Sequence, residues 1–192
     1  MKLGQTFMSK QKHDISEWVE SYTSAMFSYA FHKLSDEDLA RDIVQDTFVT
    51  AAEKIQDFKG ESTPKTWLFS ILKYKIIEVY RKKAKTPLPA DTSTLAAFFD
   101  DSNSWSQNQK PMPWSNEDPH LLDDTDFQNV LKECLDALPA KWSSTVKLKY
   151  LMDKKGEEIC QELDISPTNF WQIMHRAKLN LRDCLEKNWF QN

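Results

Sequence analysis

At 192 residues, with 40% hydrophobic and 28% charged side chains, the chain has ordinary globular composition and room for one average domain or two small ones. No apolar run approaches the length of a membrane span, and the N-terminal stretch MKLGQTFMSKQKHD lacks a signal-peptide core, so no membrane insertion is expected and the cytoplasm is the expected compartment. Cys134, Cys160 and Cys184 are odd in number, widely spaced and set in apolar helical patterns, which reads as reduced structural cysteines.

The net charge of −4 is unevenly spread. Residues 1–85 carry +2, residues 86–125 carry −6, and residues 126–192 are neutral. Within residues 65–85, seven Lys and Arg stand against the single acid Glu78. A DNA-binding surface needs a local positive field, because phosphates dominate affinity, so the acidic total does not exclude one.

Residues 14–34 set Trp18, Tyr22, Met26, Tyr29 and Lys33–Leu34 at helical spacing. Ser35, followed by Asp36, Glu37 and Asp38, reads as the start of a second helix with acids in its first turn. That helix carries Leu39, Ile43, Val44, Phe48, Ala51 and Ile55 on its apolar side. A loop around Gly60 follows. Thr63-Pro64 opens a third helix, with Pro in a tolerated first-turn place. Its stripe is Trp67, Leu68, Ile71, Leu72, Ile76 and Val79, and it ends on Arg81-Lys82-Lys83. These helices predict a first domain over residues 1–85.

Residues 86–125 hold five prolines, with Ser, Asn and Asp frequent, and read as a flexible acidic linker with a short helix near Thr94–Phe99. A second helical domain is predicted over 126–192. Phe127, Val130, Leu131, Cys134, Leu135 and Leu138 repeat helically until Pro139. In Trp142–Met152, Val146, Leu148 and Tyr150 alternate like a strand, but the helical neighbours favour helix. Glu157–Leu163 is a short helix and Asp164-Ile165-Ser166 a turn. Ser166 caps, and Pro167 opens, a long last helix with Phe170, Met174, Ala177, Leu181 and Leu185. The fold class is all-α, two small helical domains joined by a linker.

The last two helices and their three-residue turn have the form of a helix-turn-helix, whose second helix lies in the major groove. Its outer face offers Thr168, Asn169, Trp171, Gln172, His175 and Arg176, and Asn, Gln and Arg can pair with base edges. From spacing alone, a plain helical hairpin with a solvated face stays open.

Two stretches carry a more specific likeness. LPAKWSSTVKLKYLMDKKGEEICQELDISPTNFWQIMHRAKLNLRDCL resembles region 4, and DLARDIVQDTFVTAAEKIQDFKGESTPKTWLFSILKYKIIEVYRKK region 2, of the extracytoplasmic-function group of the sigma-70 family. By this resemblance the chain binds core RNA polymerase, directs it to promoters and helps melt the −10 element, without catalysing anything. Asp42, Val44, Gln45, Asp46 and Phe48 match the segment that docks on the polymerase clamp helices. Lys59, Gly60, Ser62, Thr63, Lys65 and Thr66 match the loop that captures a flipped −10 base. Trp67, Lys73, Tyr74, Lys75, Arg81 and Lys82 match the helix that opens and holds that element. Exposed bases stack on aromatics and cations track the strand, with Tyr74 or Tyr80 as stacking platforms. For Trp67, which lies on the apolar stripe, core packing stays open. The outer face of the last helix matches the −35 reader, although Trp171 and Ile173 stand where the family usually has basic residues. An anti-sigma factor is a further partner the resemblance implies.

His13, His32, His120 and His175 are not spaced with the cysteines as metal ligands, and no CxxC, glycine-rich phosphate loop or nucleophile motif occurs. No metal, no cofactor and no enzymatic activity are expected. Two alternatives remain: a helix-turn-helix regulator acting without polymerase, and an all-helical protein-binding adaptor.

Overall fold

The computed structural model describes residues 15–86 and 121–190, which are helical with no strand among them. The expected short helix near Thr94–Phe99, His13, His120 and most of the expected linker lie outside the described residues. Seven α-helices follow in chain order: α1 Ile15–Leu34, α2 Glu37–Glu53, α3 Pro64–Ala84, α4 Thr125–Ala137, α5 Ala140–Tyr150, α6 Gly156–Leu163 and α7 Pro167–Leu185. The chain divides into two compact units, Met1–Ile76 and Ile77–Asn192.

In the first unit α1 packs along α2 through Trp18, Met26, Ala30 and Leu34 on one side and Ala40, Val44, Phe48 and Ala51 on the other. Leu68, Leu72 and Ile76 of α3 are fully buried, as their stripe predicts. The α1–α2 corner differs from expectation. Ser35 takes a left-handed φ of 56° and its N–H closes α1 on the Phe31 carbonyl at 2.8 Å. Asp36 is the cap, its carboxylate accepting the Leu39 N–H at 3.0 Å. One residue cannot both leave α1 left-handed and cap α2 in extended backbone, so the caps fall to two neighbours. Helix α2 stops at Glu53, and Ile55 belongs to a separate 3-10 turn, Ile55–Asp57.

In the second unit α4 begins at Thr125, inside the stretch expected to be linker, because Asp124 caps it through the Asp126 and Phe127 N–H groups. Helix α5 is the centre. It packs on α4, α6 and α7, and every residue from Trp142 to Leu148 is buried. Burial on all sides removes the polar face a helix ordinarily shows, which is why its sequence mimics alternation. Two of its buried polar side chains have clear partners: Thr145 donates to the Lys141 carbonyl at 2.7 Å, and the Lys147 ammonium pairs with Asp136 at 2.8 Å. Beyond α7 a π-helical turn, Glu186–Phe190, sets Trp189 against Phe127 of α4, ring centroids 5.3 Å apart.

The reading of the cysteines as reduced needs correction. Cys134 on α4 and Cys184 near the end of α7 are joined in a disulfide, Cα atoms 5.7 Å apart, across 50 residues of sequence. Their separation hid the pairing, which exists because α4 and α7 pack side by side. Cys160 on α6 is free.

Candidate nucleic-acid interfaces

The first unit offers two surfaces. On α2, Asp42, Gln45 and Asp46 are exposed, whereas Val44 and Phe48 are buried on the α1 side. Val44, Gln45 and Phe48 nevertheless line one groove of about 680 Å³ between α1 and α2, with Val19, Phe27, Arg41 and Val49 on its walls. Val19 and Val49 are exposed there, so the groove presents apolar side chains to solvent.

The second surface is the loop between α2 and α3. Its two ends are held by aromatic rings. Phe58 and Trp67 lie 5.0 Å apart by centroid, and both rest on Trp18, at 5.4 and 6.1 Å. Trp67 is half-buried in that cluster, so its packing alternative is the one seen. Between the rings Lys59, Gly60, Glu61, Ser62 and Thr63 all stand exposed, and Gly60 turns with φ +74°, a conformation that favours glycine. Thr63 opens α3, accepting the Thr66 N–H at 3.2 Å, with the two hydroxyls 2.9 Å apart. Along α3, Lys65, Lys73 and Tyr74 are exposed within the first unit, and past that unit's end at Ile76 the same helix carries an exposed Lys82 and a half-buried Arg81. The field near Lys73 is positive: burial first, then the Lys73 charge, lowers the Lys33 ammonium below the usual lysine range. Lys75 faces elsewhere, its ammonium 2.6 Å from the Asp46 carboxylate of α2. Two residues expected in separate interfaces thus meet each other. Tyr80, expected as a stacking platform, is 2% exposed and stands in the core.

In the second unit, α6, the turn and α7 have the predicted helix-turn-helix form. Asp164 ends α6 in left-handed backbone (φ 51°), its N–H and that of Ile165 both reaching the Cys160 carbonyl. Ser166 caps α7 through the Asn169 N–H at 3.2 Å and Pro167 fills the first turn. Gly156 at the start of α6 lies under the Phe170 ring, where a Cβ would meet a ring carbon at 3.1 Å. Sequence reading missed this close approach, because its only signal is a glycine at a helix start. On the outer face of α7, Thr168, Trp171, Gln172 and His175 are exposed, with Asn169 and Arg176 half-buried. They recur at three- and four-residue intervals, which puts them on one face. Trp171 is 69% exposed, its ring set edge-on to Phe170 at 5.1 Å. Ile173 is 3% exposed and faces the core, so it is not on that face. Among the described residues no group of His, Cys, Asp and Glu could hold a metal ion, and no helix is long and apolar enough to cross a membrane.

A loop pinned on a basic helix in one unit, and a capped helix-turn-helix in the other, occur in the order of two known regions. The model of sigma-70 region 2 matches residues 18–86 and that of sigma-70 region 4 matches residues 128–181. A probable RNA polymerase sigma factor of Haemophilus influenzae is 33% identical over 172 residues, 88% of each chain. The ECF RNA polymerase sigma factor SigM of Bacillus subtilis is 25% identical over 168 residues, 88% of this chain and 93% of that one. Among solved structures, the sigma factor RpoE of Bartonella quintana, crystallised with the anti-sigma factor NepR, is similar with a TM-score of 0.42 and 21% identity, covering 91% of this chain and 98% of that one. The chain belongs to the RNA polymerase sigma-70 family, in its extracytoplasmic-function group. As such it is a promoter-specificity factor that binds RNA polymerase.

Proposed function

We propose that the two units divide promoter recognition, the first opening and holding the −10 element and the second reading the −35 duplex, while the chain itself catalyses nothing. Core polymerase seats on the exposed α2 face of Asp42, Gln45 and Asp46, with the α1–α2 groove over Val44 and Phe48 as its apolar part. The loop Lys59–Thr63 encloses one extruded base. Extrusion costs a few kcal/mol of lost stacking and pairing. Lys73 and Lys82 offset it through strand phosphates, and Tyr74 through stacking, at roughly 1–3 kcal/mol per base. In the second unit α7 enters the major groove with Thr168, Trp171, Gln172 and His175 toward the bases and Arg176 toward a base or phosphate. The domain scheme follows: residues 1–85 and 126–192 act, and 86–125 connect them. RNA polymerase works in the cytoplasm, and we place the chain there on that ground. An anti-sigma factor is a proposed further partner.

One observation carries the reading: the exposed loop, clamped at both ends by Phe58 and Trp67, opens directly onto a basic helix. A ring-clamped loop can keep its backbone course without using its own side chains for packing, which leaves them free for a base. The test uses Ser62→Gly with Lys59→Ala, which spares the Thr63 cap. With core polymerase on a duplex promoter, permanganate reactivity of the −10 thymines should fall strongly. On a pre-melted bubble the loss should shrink, while base preference still fades. Equal footprints with intact preference would return the loop to a structural role.

A further inference from the structure

The compartment in which RNA polymerase works keeps thiols reduced, so a disulfide there is not the resting expectation. Yet the second unit sets two cysteines in bonding position on its first and last α-helices. They differ in access: Cys134 is 2% exposed, whereas Cys184 is half-buried, with Asn188 Nδ2 donating to its sulfur at 3.4 Å. The third cysteine, Cys160, is free, and burial above all pushes its thiol up, away from the reactive thiolate. The bond ties α4 to the same helix whose N-terminal half carries Trp171 and Gln172.

We propose that Cys134 and Cys184 are a reversible redox modification site, closed by a peroxide-class oxidant, whose bond fixes helix α7 against α4. Its consequence for DNA rests on the proposed reading of α7 as the duplex-reading helix. Cys184, as thiolate, attacks one peroxide oxygen, the O–O bond breaks, and hydroxide leaves and is protonated to water. The resulting sulfenic acid is attacked by the Cys134 sulfur, which gives up its proton. The S–O bond breaks and a second water leaves. Two thiols and one hydrogen peroxide give one disulfide and two waters. Two molecules of a small thiol of the glutathione class restore both cysteines by exchange, ending as their own disulfide. Closing the link removes freedom from the chain between the two helices, so α7 frays less.

The test takes the full chain in glutathione and then with hydrogen peroxide. Peptide mapping should find Cys134 joined to Cys184 after peroxide and free after glutathione. Amide exchange in the last turns of α7 should slow at least about tenfold on oxidation. Cys160→Ser should switch as the natural chain does, whereas Cys184→Ser should stay at the fast rate under both conditions. No cross-linked peptide, pairing through Cys160, or exchange unaffected by oxidation overturns the site. Retention of a pool of short randomised DNA duplexes by the chain bound to core polymerase, beyond what core alone retains, separates the two readings. Stronger retention by the oxidised chain supports both. A switch in exchange with no DNA held by either form keeps the redox site and sinks the duplex-reading role. Equal retention by both forms removes the coupling to DNA, and with unchanged exchange it removes the site as well.

Discussion

The two units present their surfaces by opposite means. In the first, the exposed loop owes its shape to aromatic rings beneath it, Trp18, Phe58 and Trp67, and the helix beyond is crowded with cations. In the second, the outer face of α7 holds few cations, Arg176 and, one turn past His175, the exposed Lys178, and the charge of residues 126–192 balances to zero. What it offers is shape and hydrogen-bonding groups, held up by Phe170 over Gly156. Long-range charge collects nucleic acid of any sequence, while base edges select it. The pairing therefore teaches a division of labour: the first unit contributes affinity for separated strand, and the second contributes selectivity with little affinity alone.

The largest expected effect tests the support of α7. Phe170→Ala removes a ring that is 3% exposed and should destabilise the second unit by about 3–5 kcal/mol, seen by denaturant titration, while the first unit keeps its binding to core polymerase. Loss of core binding in the same variant would show the units are not separable in this way. Next comes the charge difference. Replacing both Lys73 and Lys82 with Gln should reduce the salt dependence of binding to a −10 single strand, lowering the log–log slope by about 1 to 2. Arg176→Gln should barely change the slope on −35 duplex if it reads a base, and lower it by about 1 if it touches phosphate. Smaller again, Trp171→Ala should leave folding intact, since the ring is mostly exposed, and cost about 1 kcal/mol at one preferred base pair, by competition binding. A uniform loss across sequences would make Trp171 a general contact.

How much of this was legible in the sequence depended on whether one element could be read alone. Pro64 and Ser166-Pro167 announced the starts of α3 and α7, because capping is local chemistry. The stripe Leu68, Leu72, Ile76 announced the buried side of α3. Helix α5 was ambiguous because neighbours on every side remove the polar face that reveals period. The candidate site was legible as stretches and blurred as side chains. Gln45, Ser62 and Gln172 stand exposed as their patterns suggest, but Ile173 and Tyr80 turn inward, a difference of one helical step that spacing does not fix. Pairings between elements, Lys75 with Asp46 and Cys134 with Cys184, depend on tertiary packing and left no trace in either segment.

The smallest effect bears on Asp46, which was assigned to polymerase docking. Its carboxylate is 2.6 Å from Lys75, and the two side chains are 58% and 12% exposed. The pair is part-solvated, so its coupling should be no more than about 1 kcal/mol. The two ends are unequal. Removing Asp46 leaves a mostly covered lysine with no counter-charge at that point, whereas Lys75→Met keeps the packed stem and returns an exposed carboxylate to water. Asp46→Ala should therefore cost more stability than Lys75→Met, and the double variant should recover part of that cost, as a double-mutant cycle measures. Core binding then separates the roles of Asp46. If it docks the polymerase, Asp46→Ala and the double variant should bind core equally weakly and Lys75→Met normally. If its purpose is to hold α3 on α2, core affinity should follow stability through the cycle, and docking would fall to Asp42 and Gln45 alone.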